Sequence, residues 1–183
     1  MQRYIAFLRA INVGGHTVKM EYLRALFEAM EFSGVSTFIA SGNVIFEAPS
    51  ASPRTIEELI EKQLKSSLGY EVPAFVRSAR ELSAIAAYQP FPTEEAGAEG
   101  ASLYVAFLHQ APSDAVCRSL RVLSSATDYF VILEREIYWL CRINLSDSRV
   151  FKGGLFEKAI KVPVTMRNIT TIRKLAAKYP TAN

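Results

Sequence analysis

Two cysteines in 183 residues exclude a disulfide-stapled scaffold. A chain of this length buries roughly 70% of its extended-chain surface, so it folds without bridges or a structural metal. Cys117 and Cys141 fall in apolar surroundings on an expected helix and an expected strand, which reads as a buried, reduced pair. The cysteines and the two histidines show no metal-ligand spacing, so no metal site is expected. No segment approaches the ~18–20 consecutive apolar residues of a membrane helix. The opening MQRYIAFLRAINVGG, broken by Arg9, lacks the pattern of a secretory leader. A cytoplasmic protein without membrane contact is the expectation.

The chain is also short of net charge, at +3, but that charge is unevenly spread. From Arg149 onward eight basic residues face a single acidic one, Glu157, so this section carries +7 and the remainder −4. Such a section attracts phosphates or nucleic acid, or it merely solvates two helices.

What the chain has in quantity is apolar residues, half of the total, with 11 Phe and 8 Tyr. Their periodicity predicts strands at 3–11, 35–40, 43–48 and 72–77 and helices at 19–31, 53–68 and 79–88. Ser52 is placed to cap the second helix, with Pro53 in its first turn, Glu57 and Glu58 opposing the dipole and Gly69 ending it. Ser78 and Glu81 make a capping box for the third. Residues 89–101, QPFPTEEAGAEGA, read as a linker or mobile loop.

The pattern then restarts. YIAFL at 4–8 recurs as YVAFL at 104–108, and VPAFVRS at 72–78 as VPVTMRN at 162–168. Helices are predicted at 113–124, 154–160 and 169–179, and strands at 104–108, 128–134, 136–143 and 162–167. Internal self-similarity of this kind implies a duplicated scaffold. The expected class is α+β: two tandem ferredoxin-like βαββαβα halves, 1–88 and 102–183, packed into one compact unit, with first and third strands antiparallel neighbours. The first strands are apolar on both faces, so both faces should be covered, the second by the partner half or by shared helices.

Chemistry present in one copy only is the better guide to function. The first strand of copy one leads into NVGGH, whereas that of copy two leads into HQAPSD. Ser41-Gly42-Asn43 stands where copy two has Glu134-Arg135-Glu136. The antiparallel pairing brings Asn12, Gly14, Gly15 and His16 to the same sheet edge as Ser41, Gly42 and Asn43, flanked by Arg9 and Lys19. Glycines that turn N–H groups inward and a following helix N-terminus suit a phosphate or carboxylate. Two ordinary turns, with Thr17 as a helix cap, account for the same residues. Arg167 and Asn168 in TMRNITT form a second candidate, for which a helix cap and a surface arginine are the alternative. Lys152-Gly153-Gly154 is a third and weaker anion-binding possibility.

LRAINVGG at 8–15, SGNVIF at 41–46 and TMRN at 165–168 resemble the bacterial domain-of-unknown-function family 1697, along nearly the whole chain. Its members carry LLRGINVGG-like strands, an SGNV turn, a TxRNW-type segment, and Met and Leu in the first helix, here Met20 and Leu23. The resemblance implies a duplicated ferredoxin-like fold and no assigned activity. Its recurring polar positions fall here on Arg9, Asn12, Gly14, Gly15, Ser41, Gly42, Asn43, Arg167 and Asn168. Ala10 replaces a family glycine and Ile169 a family tryptophan, and RVFKGGLFEK stands where many members have Ser-Lys.

Three functions compete. The leading one is a small anionic, phosphate- or nucleotide-like ligand held between loop 12–19 and turn 41–43. RNA binding through the basic C-terminal section is second, without an RNP1-type sequence in NVIFEA. A structural or regulatory module is third. No catalytic residue or cofactor is assigned: His16 and Ser41 lack an acidic orienting partner.

Overall fold

The computed structural model describes residues 1–12, 15, 17–39 and 42–181. The first stretch of chain forms β1 (Gln2–Leu8), α1 (Met20–Glu28), β2 (Ser33–Thr37), β3 (Asn43–Ala48), α2 (Pro53–Leu68), β4 (Ala74–Ser78) and α3 (Ala79–Ala87). The second forms α4 (Thr93–Ala96), β5 (Ser102–Phe107), α5 (Asp114–Leu123), β6 (Asp128–Leu133), β7 (Glu136–Cys141), a 3₁₀ turn (Leu145–Asp147), α6 (Arg149–Lys152), α7 (Leu155–Ile160), β8 (Thr165–Asn168) and α8 (Ile169–Lys178). The fold is α+β with two four-stranded antiparallel sheets, ordered β2-β3-β1-β4 and β6-β7-β5-β8. First and third strands lie side by side in each, as expected, with Ile5 opposite Ile45 and Val105 opposite Tyr138.

Several element ends differ from the sequence-based boundaries, each for a local reason. β1 stops at Leu8 rather than residue 11 because Ala10 adopts a left-handed φ of 54°. α1 stops at Glu28, and Glu31 takes φ 62° just beyond it. β2 ends at Thr37, two residues before Ile39 at φ 56°. β4 starts only after Pro73, which has no N–H to offer a ladder. α2 matches its expected span: Ser52 Oγ accepts from Thr55 N at 3.2 Å and Gly69 closes the helix at φ 81°. The Ser78–Glu81 capping box is present, with reciprocal bonds of 2.7 and 3.2 Å. Segment 89–101, expected as a linker, contains α4, and Glu95 of α4 pairs with Arg142.

The chain divides into two compact units. One comprises residues 1–85 and the chain from Leu175 onward, the other residues 86–174. The boundary therefore cuts through α3 and α8, so the last turn of α8 groups with the first unit. Tyr179 Oη bonds Ser36 Oγ at 3.2 Å, Lys178 Nζ lies 5.4 Å from the Phe38 ring, and Arg3 donates to Pro180 O at 3.3 Å.

In the first unit Tyr4, Ala6 and Leu8 face a core that takes Leu23 and Phe27 from α1 and Ile56, Ile60 and Leu64 from α2. The spacings of four are one helical face, and each fully buried side chain of this size contributes roughly 1.5–3 kcal/mol. Phe32 stacks on Phe46 at 4.5 Å. Ile5, Phe7 and Ile45 on the opposite face are equally excluded from solvent. In the second unit Ala106, Trp139 and Phe156 anchor the core beneath α5 and α7, with Trp139 stacked on Phe156 at 5.0 Å.

Candidate functional site

The rim of the first sheet is built by the meeting of the end of β1 and the start of β3. Leu8 N donates to Gly42 O at 2.8 Å. A Cβ on Gly42 would come within 3.0 Å of Ile11 Cγ2 and 3.2 Å of Leu8 Cβ, and its φ is 73°. Glycine is required there by both conformation and space. Tyr70 donates from Oη to Ile11 O at 3.0 Å, and Arg9 N donates to Pro73 O at 2.9 Å, so β4's approach pins the same segment. Burial pushes the Tyr70 phenol above its ordinary value.

Asn12 and Val18 meet beyond Ile11. Asn12 Oδ1 accepts from Val18 N at 2.7 Å, closing the loop, and Gly15 lies exposed at φ 87° with open space around it. The residue before α1 is exposed Lys19, and no side chain caps the helix. Thr17, the cap in the alternative reading of two ordinary turns, does not cap α1. The first helical bond runs from Leu23 N to Lys19 O at 3.0 Å. Glu21 in the first turn is held below the usual carboxylate value, first by its own backbone N–H and then by Arg24.

Asn43 is fully buried: its Nδ2 donates to Phe38 O at 2.9 Å while Phe38 N donates to Asn43 O. Its side chain closes the β2–β3 turn and is withdrawn from the rim surface. Gly14, His16 and Ser41 lie outside the described residues.

Arg167 and Asn168 belong to the second unit. Arg167 is not the surface arginine that position alone suggests. Its Nη1 donates to Thr165 Oγ1 and Met166 O, both at 2.9 Å, and burial lowers its guanidinium below the ordinary value to about 10, so it stays cationic at neutral pH. Asn168 is a helix cap: its Oδ1 accepts from Thr170 N at 2.8 Å. Gly154 opens α7, a helix of six residues, and Lys158 Nζ donates to Gly153 O.

Two clusters escaped sequence reasoning. On the outer side of edge strand β4, the N–H groups of Ala74, Val76 and Ser78 donate to Glu61, Glu57 and Glu81 at 3.0, 2.8 and 2.7 Å. Glu57, expected to oppose the helix dipole, is fully buried and lies 3.9 Å from the equally buried Arg77. The signal was there as Glu57 and Glu61 four apart on the α2 face that carries Ile60 and Leu64. In the second unit, Asp128 Oδ1 accepts from Trp139 Nε1 at 2.9 Å and Ser148 Oγ at 2.8 Å. Nothing in the local pattern marks that Asp128, since its partners lie 11 and 20 residues away.

Cys141 is buried as expected, its thiol donating to Ile143 O at 3.2 Å and pushed up by burial. Cys117 is only half-buried, a correction to the expected pair, because the α5 face that carries it is partly open. Among the described residues no group of three or more His, Cys, Asp or Glu could hold a metal. Among the described residues no helix is long and apolar enough to cross a membrane. The basic C-terminal section is split between the units: Lys178 groups with the first, while Arg149, Lys152, Lys158, Lys161, Arg167, Arg173 and Lys174 belong to the second.

No curated protein matches the sequence. The chain is similar in fold to a solved structure, that of the conserved bacterial protein SP0830 from Streptococcus pneumoniae, with a TM-score of 0.73 and 21% identity over 96% of this chain and 97% of that one. The model of the family described as Protein of unknown function (DUF1697) matches residues 1–138, which hold β1, the Gly42 turn and the whole of the rim they form. With most of its length so matched, the chain belongs to that family.

Proposed function

We propose that the first unit binds a small anionic ligand, phosphate- or nucleotide-like, where loop 12–19 meets Gly42. The observation that carries this reading is the start of α1. In the second unit the corresponding helix, α5, is capped by Ser113, whose Oγ accepts from Val116 N, and followed by Asp114. At α1 the same place holds an exposed lysine, and among the described residues no side chain other than Glu21's own carboxylate occupies a first-turn N–H group. Free N–H groups, the helix dipole and Lys19 all favour negative charge there. The depressed Glu21 carboxyl supports the same sign of potential. Arg9, half-buried at the end of β1, supplies a second positive charge.

The same reading takes the two units as duplicated ferredoxin-like halves, supported by their equal strand order, and places the protein in the cytoplasm, where free Cys117 and Cys141 stay reduced. Thermal-shift titration with inorganic phosphate, nucleotides and sugar phosphates tests the site. A rise in melting temperature with at least one of them, abolished in Lys19→Ala and reduced in Arg9→Ala, is the expected result. No rise with any probe, or a rise that both variants retain, refutes it.

A further inference from the structure

The second unit carries a cavity of about 290 Å³, lined only by residues between Ala86 and Arg173. The geometry points to this cavity as a binding site for a small carboxylate with a compact apolar body, separate from the rim of the first unit. Its floor is Leu103 of β5 and Ile169 of α8, both buried. Its walls come from Phe91 and from Ala96 and Gly97 at the end of α4. Arg173 stands at the mouth and is the sole charged residue of the lining. Ile169 and Arg173 are four apart on α8, so the apolar floor and the cation share one helix face.

Arg173 is held in place without being neutralised. Its Nε donates to Ala86 O at 3.4 Å, and no carboxylate among the described residues lies within ion-pair distance of it. That bond leaves the two Nη ends, the fork that matches a carboxylate, directed away from Nε. Gln89 and Thr93 add neutral polar groups to the lining, and no Asp or Glu is among its residues. One cation above an apolar floor suits a monoanion with an apolar body. A phosphate would ask for more donors than one guanidinium fork provides. The α4 wall is itself anchored: Glu95 pairs with Arg142, whose guanidinium also lies 4.5 Å from the Tyr129 ring centroid. The cavity is therefore preorganised by contacts that take no part in its lining, the arrangement that ligand pockets of this kind use.

The test uses the full chain, isotopically labelled, with 3-phenylpropionate as probe and 3-phenylpropionamide as its uncharged counterpart. The acid is expected to shift the amide resonances of Phe91, Ala96 and Gly97 with a roughly millimolar dissociation constant, as suits a ligand of that size. Arg173→Gln should weaken it about tenfold or more, Arg173→Lys less, and Ala96→Leu should block it by filling the cavity. Arg173 is exposed, so its variants are expected to keep the parent melting temperature. Lys19→Ala should leave binding of the acid unchanged, which separates this site from the one on the first unit. The proposal is overturned by an absence of shifts at several times that concentration, by equal binding of the amide, or by undiminished binding in Arg173→Gln.

Discussion

Arg77 and Arg167 stand ninety positions apart at equivalent places, one opposite Ile5 on β1 and the other opposite Val105 on β5. Each donates from Nη1 to the carbonyl of the residue before it, at 2.9 Å. Apart from this shared feature, the two units deliver a buried acid from different elements. In the first unit a helix supplies the buried acid: Glu57 reaches from α2 to the edge of β4 and lies beside Arg77. In the second unit a strand supplies it, and Asp128 ties β6 to β7 through Trp139 and to the start of α6 through Ser148. Ser148 Oγ in turn accepts from Val150 N and Phe151 N. A repeated scaffold thus keeps its ladder and its arginine, while the acids that satisfy buried donors come from wherever the local chain can deliver one.

The largest test of that contrast is Glu57→Ala. It strips Val76 N–H of its acceptor and removes one counter-charge from buried Arg77, which should lower stability by about 3–5 kcal/mol. Urea denaturation followed by far-UV dichroism measures it, and Glu57→Gln, which keeps an acceptor, should lose less. Asp128→Ala comes next, with about 2–4 kcal/mol for the loss of bonds to a buried charged acceptor. Trp139 is the chain's one tryptophan. Its fluorescence therefore reports the second unit, and the transition it reads should move in Asp128→Ala by more than in Glu57→Ala.

The helix starts sharpen the comparison at smaller scale. Ser113→Ala should cost about 1 kcal/mol by uncapping α5, whereas Lys19→Ser should stabilise α1 by up to about 1 kcal/mol by supplying a cap that it lacks. If Lys19→Ser also abolishes the phosphate-induced rise in melting temperature, stability and binding at that rim are in opposition. The smallest effect is a pH dependence confined to the first unit. The Tyr70 phenol ionises above its unfolded value near 10.0, so its contribution is complete below pH 10 and is lost as pH rises through the higher folded value. Chemical denaturation at increasing alkaline pH should show this loss in the parent and not in Tyr70→Phe.

Much of this molecule is legible in its sequence. The spans of β3 and α2, the Ser52 cap, the Ser78–Glu81 box and the repetition of VPAFVRS as VPVTMRN are all local patterns, and all match the structure. The antiparallel pairing that joins the ends of β1 and β3 follows from element order and holds at Leu8 and Gly42. Polar residues were harder to assign. Asn43 reads as a rim residue and is a buried turn clamp. Arg167 reads as a surface or ligand-facing arginine and is half-buried, bonded to its own strand. Glu57 reads as a dipole partner and satisfies an edge strand. In each case the residue's type was visible, but its partner was not.

Ala10 shows the limit from the other side. Its φ of 54° is a conformation that glycine adopts freely, and alanine holds it there at a cost of about 1–2 kcal/mol. Hydrophobic period alone carries the strand past it, and the sole signal of a left-handed position is the family glycine that Ala10 replaces. Periodicity, caps and repetition are set by neighbours within a few positions, and for that reason the sequence alone determined the class, the order of elements and most of their spans. Which acid meets which donor, where α8 changes units, and whether a cation faces solvent or a carbonyl depend on groups brought together across tens of residues. Only the tertiary structure decides those, because burial turns an ordinary polar side chain into one that must find a partner.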